Sequence, residues 1–113
     1  MLIYEVNLEV KEEAKYSFAG WLPEHIHKVL ETKGFQGAHW FFRNASEEGR
    51  TDDGTILWTI HYLVENQQSL DEYLSNRAPE VQKEAIDRFG DQFKANRRVL
   101  HLLSIAAPTA NAE

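Results

Sequence analysis

Hydrophobic and polar residues alternate from Leu2 to Val10, with Leu2, Tyr4, Val6, Leu8 and Val10 on one side and Ile3, Glu5, Asn7 and Glu9 on the other. That period of two predicts a half-buried strand. From Glu12 the period lengthens. At about 100° per residue, Ala14, Phe18, Trp21, Leu22, His25, Ile26 and Val29 form one stripe, and Lys15, Glu24, His27 and Glu31 lie off it. The pattern predicts an amphipathic helix ending near Thr32 and Lys33, with Gly34 as its stop signal. Pro23 removes an amide donor inside that helix and predicts a kink near Gly20 to Pro23 in one continuous, bent element. Phe35 to Arg43 is aromatic-rich and strand-like, and the polar loop NASEEGRTDDG joins it to an antiparallel partner, Thr55 to Glu65. In that partner Ile56, Trp58, Ile60, Tyr62 and Val64 alternate with Leu57, Thr59, His61 and Leu63, so both faces read as largely apolar. Ser69 to Ala78 predicts a helix burying Leu70, Tyr73 and Leu74, and Ala78-Pro79 separates it from a second helix, Pro79 to Phe89, that stops at Gly90. Val99 to Ile105 reads as the last strand, and residues 107–113 as a flexible tail without a core-forming pattern.

The order strand, helix, strand, strand, helix pair, strand over residues 1–106 predicts a single α+β domain of the ferredoxin-like βαββαβ type, a four-stranded antiparallel sheet with helices on one face. The opposite face, with Leu57, Leu63 and one row of the last strand, is then expected to find cover in a second copy packed sheet to sheet.

Four segments carry a family resemblance: LIYEVNLEV, WLPEHIHKVLETKGFQGA, IHYLVEN followed by LDEYLSNRAPEV, and RFGDQFKANRRVL. Together, over about the whole chain, they resemble an uncharacterised family of short bacterial proteins in the dimeric α/β-barrel superfamily. The resemblance implies the ferredoxin-like subunit and a two-sheet dimer, and it assigns no activity. The wider superfamily, as the resemblance implies, includes cofactor-independent monooxygenases, isomerases, heme-degrading enzymes and ligand-sensing domains, often with the site between helices and sheet.

Composition narrows the function classes. In 113 residues, 42% hydrophobic and 12% aromatic content suffices for one core without disulfides or metals. The absence of cysteine removes thiolate metal sites, iron–sulfur clusters and cysteine nucleophiles, and fits a cytoplasmic location. A formal charge of −6, with Lys94, Arg97 and Arg98 as the one basic cluster, argues against a nucleic-acid partner. No apolar run approaches the roughly 20 residues a membrane span needs, and Glu5 and Glu9 interrupt the first strand where a signal peptide would be continuous.

His25 is the most informative polar residue, because helical phase sets it among Phe18, Leu22 and Val29 on the core-facing stripe. An imidazole there serves as a general base or as a metal or heme ligand, or donates one structural hydrogen bond to a strand. His27 projects about 200° away, so the two cannot close on one metal from a regular helix. Tyr4, Trp58 and Tyr62 share the strand face turned toward the helices, and with Trp21 and His25 they form the candidate ligand-binding set, suited to a flat, mostly apolar molecule. The competing reading is that these aromatics, Trp40 among them, simply fill the core. His61 points to the opposite face, toward the expected dimer interface; His39 and His101 also lie on strands. Arg97 and Arg98 are expected to pair with the acidic helix Pro79 to Phe89. The tripeptide Asn44-Ala45-Ser46 matches a glycosylation acceptor by chance. No phosphate loop, nucleophile elbow or zinc motif occurs, and no metal or cofactor is expected. Three readings follow: a small-molecule-binding or sensing homodimer, a cofactor-independent monooxygenase or isomerase with His25 as base, and an interaction module using the dimer rim or the loop Asn44 to Gly54.

Overall fold

Strand β1 (Leu2–Val10), helix α1 (Lys15–Leu30), strands β2 (Phe35–Arg43) and β3 (Ile56–Val64), helices α2 (Gln67–Asn76) and α3 (Ala78–Phe89), and strand β4 (Phe93–His101) follow one another in a computed structural model that describes residues 1–109. The strands form one antiparallel sheet in the order β2-β3-β1-β4. With the helices on one face, this is the ferredoxin-like α+β architecture expected from the alternation. The two best-patterned strands occupy the centre, where a strand needs apolar residues most.

α1 runs through Pro23 as one uninterrupted helix. α2 begins at Gln67, two residues before the sequence reading placed it, because the Asn66 side chain accepts a 2.9 Å hydrogen bond from the Ser69 amide and caps the first turn. Leu70 and Tyr73 are buried as expected, whereas Leu74 is exposed, since the short helix turns only one narrow stripe inward.

The last strand needs a larger correction. It spans Phe93–His101, not Val99 to Ile105. Its register is dictated by β1: Phe93 pairs with Val10 and His101 with Leu2, so the partner strand ends just where the apolar run continues. Beyond His101 one further bond, from the Leu102 amide to the Met1 carbonyl at 3.2 Å, remains. Leu102, Leu103 and Ile105 are exposed, and residues 102–109 have no regular structure; the last four residues of the expected tail lie outside the described residues.

The face away from the helices also differs from expectation. Its rows are Ile3, Glu5, Asn7 and Glu9 on β1, Leu57, Thr59, His61 and Leu63 on β3, and Lys94, Asn96, Arg98 and Leu100 on β4. The apolar positions gather at the ends and the middle is polar. Leu57 is only 2% exposed within the single chain, so the uncovered apolar surface is smaller than alternation in β3 alone suggests.

Gly34 closes the connection from α1 to β2 at φ +87°, a left-handed backbone that a Cβ disfavours. A Cβ there would sit 2.1 Å from Ser69 Oγ and 2.6 Å from Ser69 Cβ. Gly34→Ala is therefore expected to cost about 2–3 kcal/mol in urea denaturation, with part of the loss recovered in Gly34→Ala, Ser69→Gly; an unchanged midpoint would contradict this packing.

Candidate functional site

Register fixes the floor of the site. Tyr4 and Tyr62 face each other across β1 and β3 on the helix side, their rings stacked with centroids 6.1 Å apart, and Tyr73 from α2 meets Tyr4 edge-on at 5.9 Å. The roof comes from the apolar stripe of α1, which lowers Phe18, Trp21, Leu22 and His25 onto the sheet, and from α3, which adds Val81, Gln82 and Ala85. On β4 the helix-facing row carries Phe93 and Arg97. These side chains enclose a cavity of about 40 Å³, space for a few waters. Tyr4 and Leu8 are buried on the helix side of β1, yet Val6 between them stays partly exposed, so the helical layer leaves a gap over the β1–β4 half of the sheet.

Among the described residues two buried side-chain polar atoms, Tyr4 Oη and His25 Nδ1, have no hydrogen-bond partner, and both residues line this cavity. Burial raises the pKa of the Tyr4 hydroxyl, and the Arg97 and Gln82 side chains approach it closely enough to offset part of that shift without meeting hydrogen-bond geometry. The His25 ring rests against Trp21 with centroids 4.4 Å apart. Burial, aided by the Lys28 and Arg97 charges and opposed by Glu84, pushes the His25 pKa down to about 4, so the imidazole is neutral at pH 7. Burial also raises the tyrosines, Tyr73 to about 12 and Tyr4 and Tyr62 likewise upward. They stay protonated as hydroxyls that donate or accept.

Of the sequence-predicted set, Tyr4, Trp21, His25 and Tyr62 come together in the cavity wall. Trp58 does not: it packs against Phe18 and, edge-on, against Trp40, as core. Tyr73, Gln82 and Arg97 complete the wall; the sequence pattern marks Tyr73 as core and Arg97 as a partner for α3, and neither as a cavity residue. The helix-facing row Phe93, Ala95, Arg97 and Val99 becomes legible only once β4 is known to start at Phe93. Neither arginine pairs with α3 as expected. Arg98 binds Glu5 on the far face, and Arg97 has no ion pair or hydrogen bond among the described residues.

That far face holds the second polar cluster. Glu5, 4% exposed, accepts hydrogen bonds from Arg98 and from Asn7 at 2.9 Å and lies 2.7 Å from His61 Nε2. Burial alone would raise the carboxyl, but these three partners outweigh it and hold the pKa at about 2. Thr59 donates to Asn7 at 2.7 Å, and Arg43 grips Glu48 with two bonds of 2.7 and 2.9 Å. The adjoining open hollow of about 590 Å³ is thus lined by groups already paired with each other. Among the described residues, no group of three or more His, Cys, Asp or Glu is placed to hold a metal ion, and no helix is long and apolar enough to cross a membrane.

Comparison with known proteins agrees with this architecture. Residues 1–103 match the model of a family described as Domain of unknown function (DUF4286). The heme-degrader MhuD from Mycobacterium tuberculosis, solved with two hemes in its active site, superimposes with a TM-score of 0.63 at 14% identity, over 95% of this chain and 100% of that one. An ethyl tert-butyl ether d (ethd) family protein from Bacillus halodurans gives 0.61 at 14% identity, over 91% and 100%. SnoaB, a cofactor-independent oxygenase from Streptomyces nogalater, gives 0.59 at 12% identity, over 97% of each chain. At these identities the likeness establishes the ferredoxin-like α+β fold and nothing of the chemistry. No curated protein matches the sequence significantly.

Proposed function

The chain belongs to the DUF4286 family of unknown function, and on that footing we propose that it is a homodimeric small-molecule-binding or sensing domain over residues 1–106, acting in the cytoplasm, with its ligand site between α1, α3 and the sheet. The observation that carries this reading is the pair of unpartnered polar atoms, Tyr4 Oη and His25 Nδ1, in one cavity wall. A buried polar group without a partner costs about 1–3 kcal/mol, so two of them facing one space favour an occupant that supplies the missing bonds. Ordered waters suit the free state, and a ligand that displaces them reproduces their bonds. At about 40 Å³ the space admits a small apolar group, and a larger ring requires the wall to give way.

His25 supports binding better than proton abstraction. A base that holds its proton only below about pH 4 drives little proton transfer at neutral pH. The oxygenase alternative therefore has the right fold and a weak base.

A fragment screen followed by amide chemical shifts tests the site. Hits are expected to perturb Tyr4, Trp21, His25 and Tyr62, and to bind about tenfold more weakly to Tyr4→Phe. Tyr4→Phe itself is expected to be as stable as the parent or up to about 1 kcal/mol more so, because it deletes an unpaired buried hydroxyl. Hits confined to the far face of the sheet would sink the reading.

The dimer is supported by the helix-free face and by apolar side chains exposed around it, Phe41 on that face, and Leu103 and Ile105 beyond β4. Sedimentation is expected to return twice the 13.1 kDa chain mass; a stable single chain at micromolar concentration would refute it.

A further inference from the structure

The cavity wall contains one charged side chain, Arg97, and no carboxylate, in a chain whose formal charge is −6. The other arginines are engaged: Arg43, Arg50, Arg77 and Arg98 in ion pairs and Arg88 over the Phe89 ring. Arg97 has no such partner among the described residues. It stands opposite Val6 in the β1–β4 register, at the gap in the helical layer, so its guanidinium flanks the mouth of the cavity.

Tyr4, 3% exposed, presents its unpaired hydroxyl to the same space, and Gln82 from α3 lines it too. Leu8, Phe18 and Leu22, all buried, line the same space with hydrocarbon. Arg97 at the mouth and the Tyr4 hydroxyl within are thus set against a lining that is otherwise largely hydrocarbon and aromatic ring. Such a wall matches a molecule with one anionic end and an apolar body.

Building on the binding reading above, the geometry points to a small monocarboxylate as the ligand class, its carboxylate held by Arg97 with the Tyr4 hydroxyl and its apolar end directed beneath α1. Arginine suits this task because its planar fork donates two parallel bonds to a carboxylate and keeps its charge at any physiological pH. Neutral His25 adds no competing cation and offers Nδ1 as a second fixed point for a polar substituent. No other charge lines the cavity, so Arg97 sets the sign of the ligand.

Matched acid and amide probes test the inference: benzoate against benzamide, and isovalerate against isovaleramide, each titrated into the full chain and followed by amide chemical shifts. Each acid is expected to bind about ten- to a hundredfold more tightly than its amide. Arg97→Gln should abolish the preference, and Arg97→Lys, which keeps charge but loses the fork, should retain part of it. Because Arg97 is exposed and unpaired, both variants are expected to melt with the parent. Acids and amides that bind equally at the cavity would overturn the charge assignment while leaving the binding site intact. If no probe of either kind shifts the cavity residues, the binding reading falls and this inference falls with it.

Discussion

Lowering the pH from 7.5 to 2 is expected to remove about 4–6 kcal/mol of folding stability in two separate windows, one set by His25 and one by Glu5. Burial lowers the His25 pKa from 6.5 to about 4. Between those values the unfolded chain takes up a proton that the folded chain refuses, so stability is full above pH 6.5 and falls as the pH drops toward 4. Glu5 titrates from 4.5 in the unfolded chain to about 2 in the fold. Its contribution is therefore present above pH 4.5 and is lost as the pH falls through 2. Each shift is worth roughly 3 kcal/mol at full value. Partial hydration of the His25 ring and the solvated Arg98 guanidinium reduce each to about 2–3 kcal/mol. A small domain has about 5–15 kcal/mol in hand, so the sum brings this one near its unfolding threshold. Urea denaturation at pH 7.5, 5 and 3 checks the profile. His25→Phe, which keeps a ring against Trp21, should flatten the upper window alone, and Glu5→Gln the lower one alone. A stability that does not change between pH 6.5 and 4 would show that His25 is solvated rather than buried.

Phe18→Ala is expected to destabilise the fold by about 3–5 kcal/mol. The ring is 1% exposed. Its centroid lies 4.5 Å from Phe89, 5.3 Å from Phe93 and 5.4 Å from Trp21, so it ties α1 to both ends of the chain segment running from α3 to β4. Truncation leaves a void among rigid rings that cannot collapse into it, which is the circumstance in which cavity costs run high. A fall in melting temperature of about 15–25 °C should result, and Phe18→Leu should lose less than half as much. The same truncation enlarges the candidate binding space, so a destabilised but folded Phe18→Ala protein should accept larger aromatic probes than the parent. A loss below about 1 kcal/mol would mean that α1 is not seated on the sheet through this residue.

The dimer depends on the far face and its apolar margins, the ligand site on two unpaired atoms beneath α1, and the charge of the ligand on Arg97. The dimer can fail without touching the ligand site, and the charge assignment can fail while the site stands, but the charge of the ligand falls if the site does.

Local periodicity was enough to determine most of the architecture and part of the site. The strict alternation of β1 and β3 places Tyr4 and Tyr62 on one face of a sheet, and the helical stripe of α1 directs Trp21 and His25 toward that face, because each of these facts is settled within a few residues of chain. What the tertiary structure alone decided involves residues far apart in sequence. The start of β4 follows from the length of β1, against a stronger apolar run nearer the chain end, and that shift brings Arg97 to the cavity. The polarity of the far face follows from Arg98 reaching Glu5 across 93 positions and His61 reaching it across 56. Whether His25 has a partner is likewise a property of α1, α3 and the sheet packed together. Hydrogen-bond satisfaction and strand register are set by pairing across space, and the alternation of a single segment carries no record of the segment it will meet.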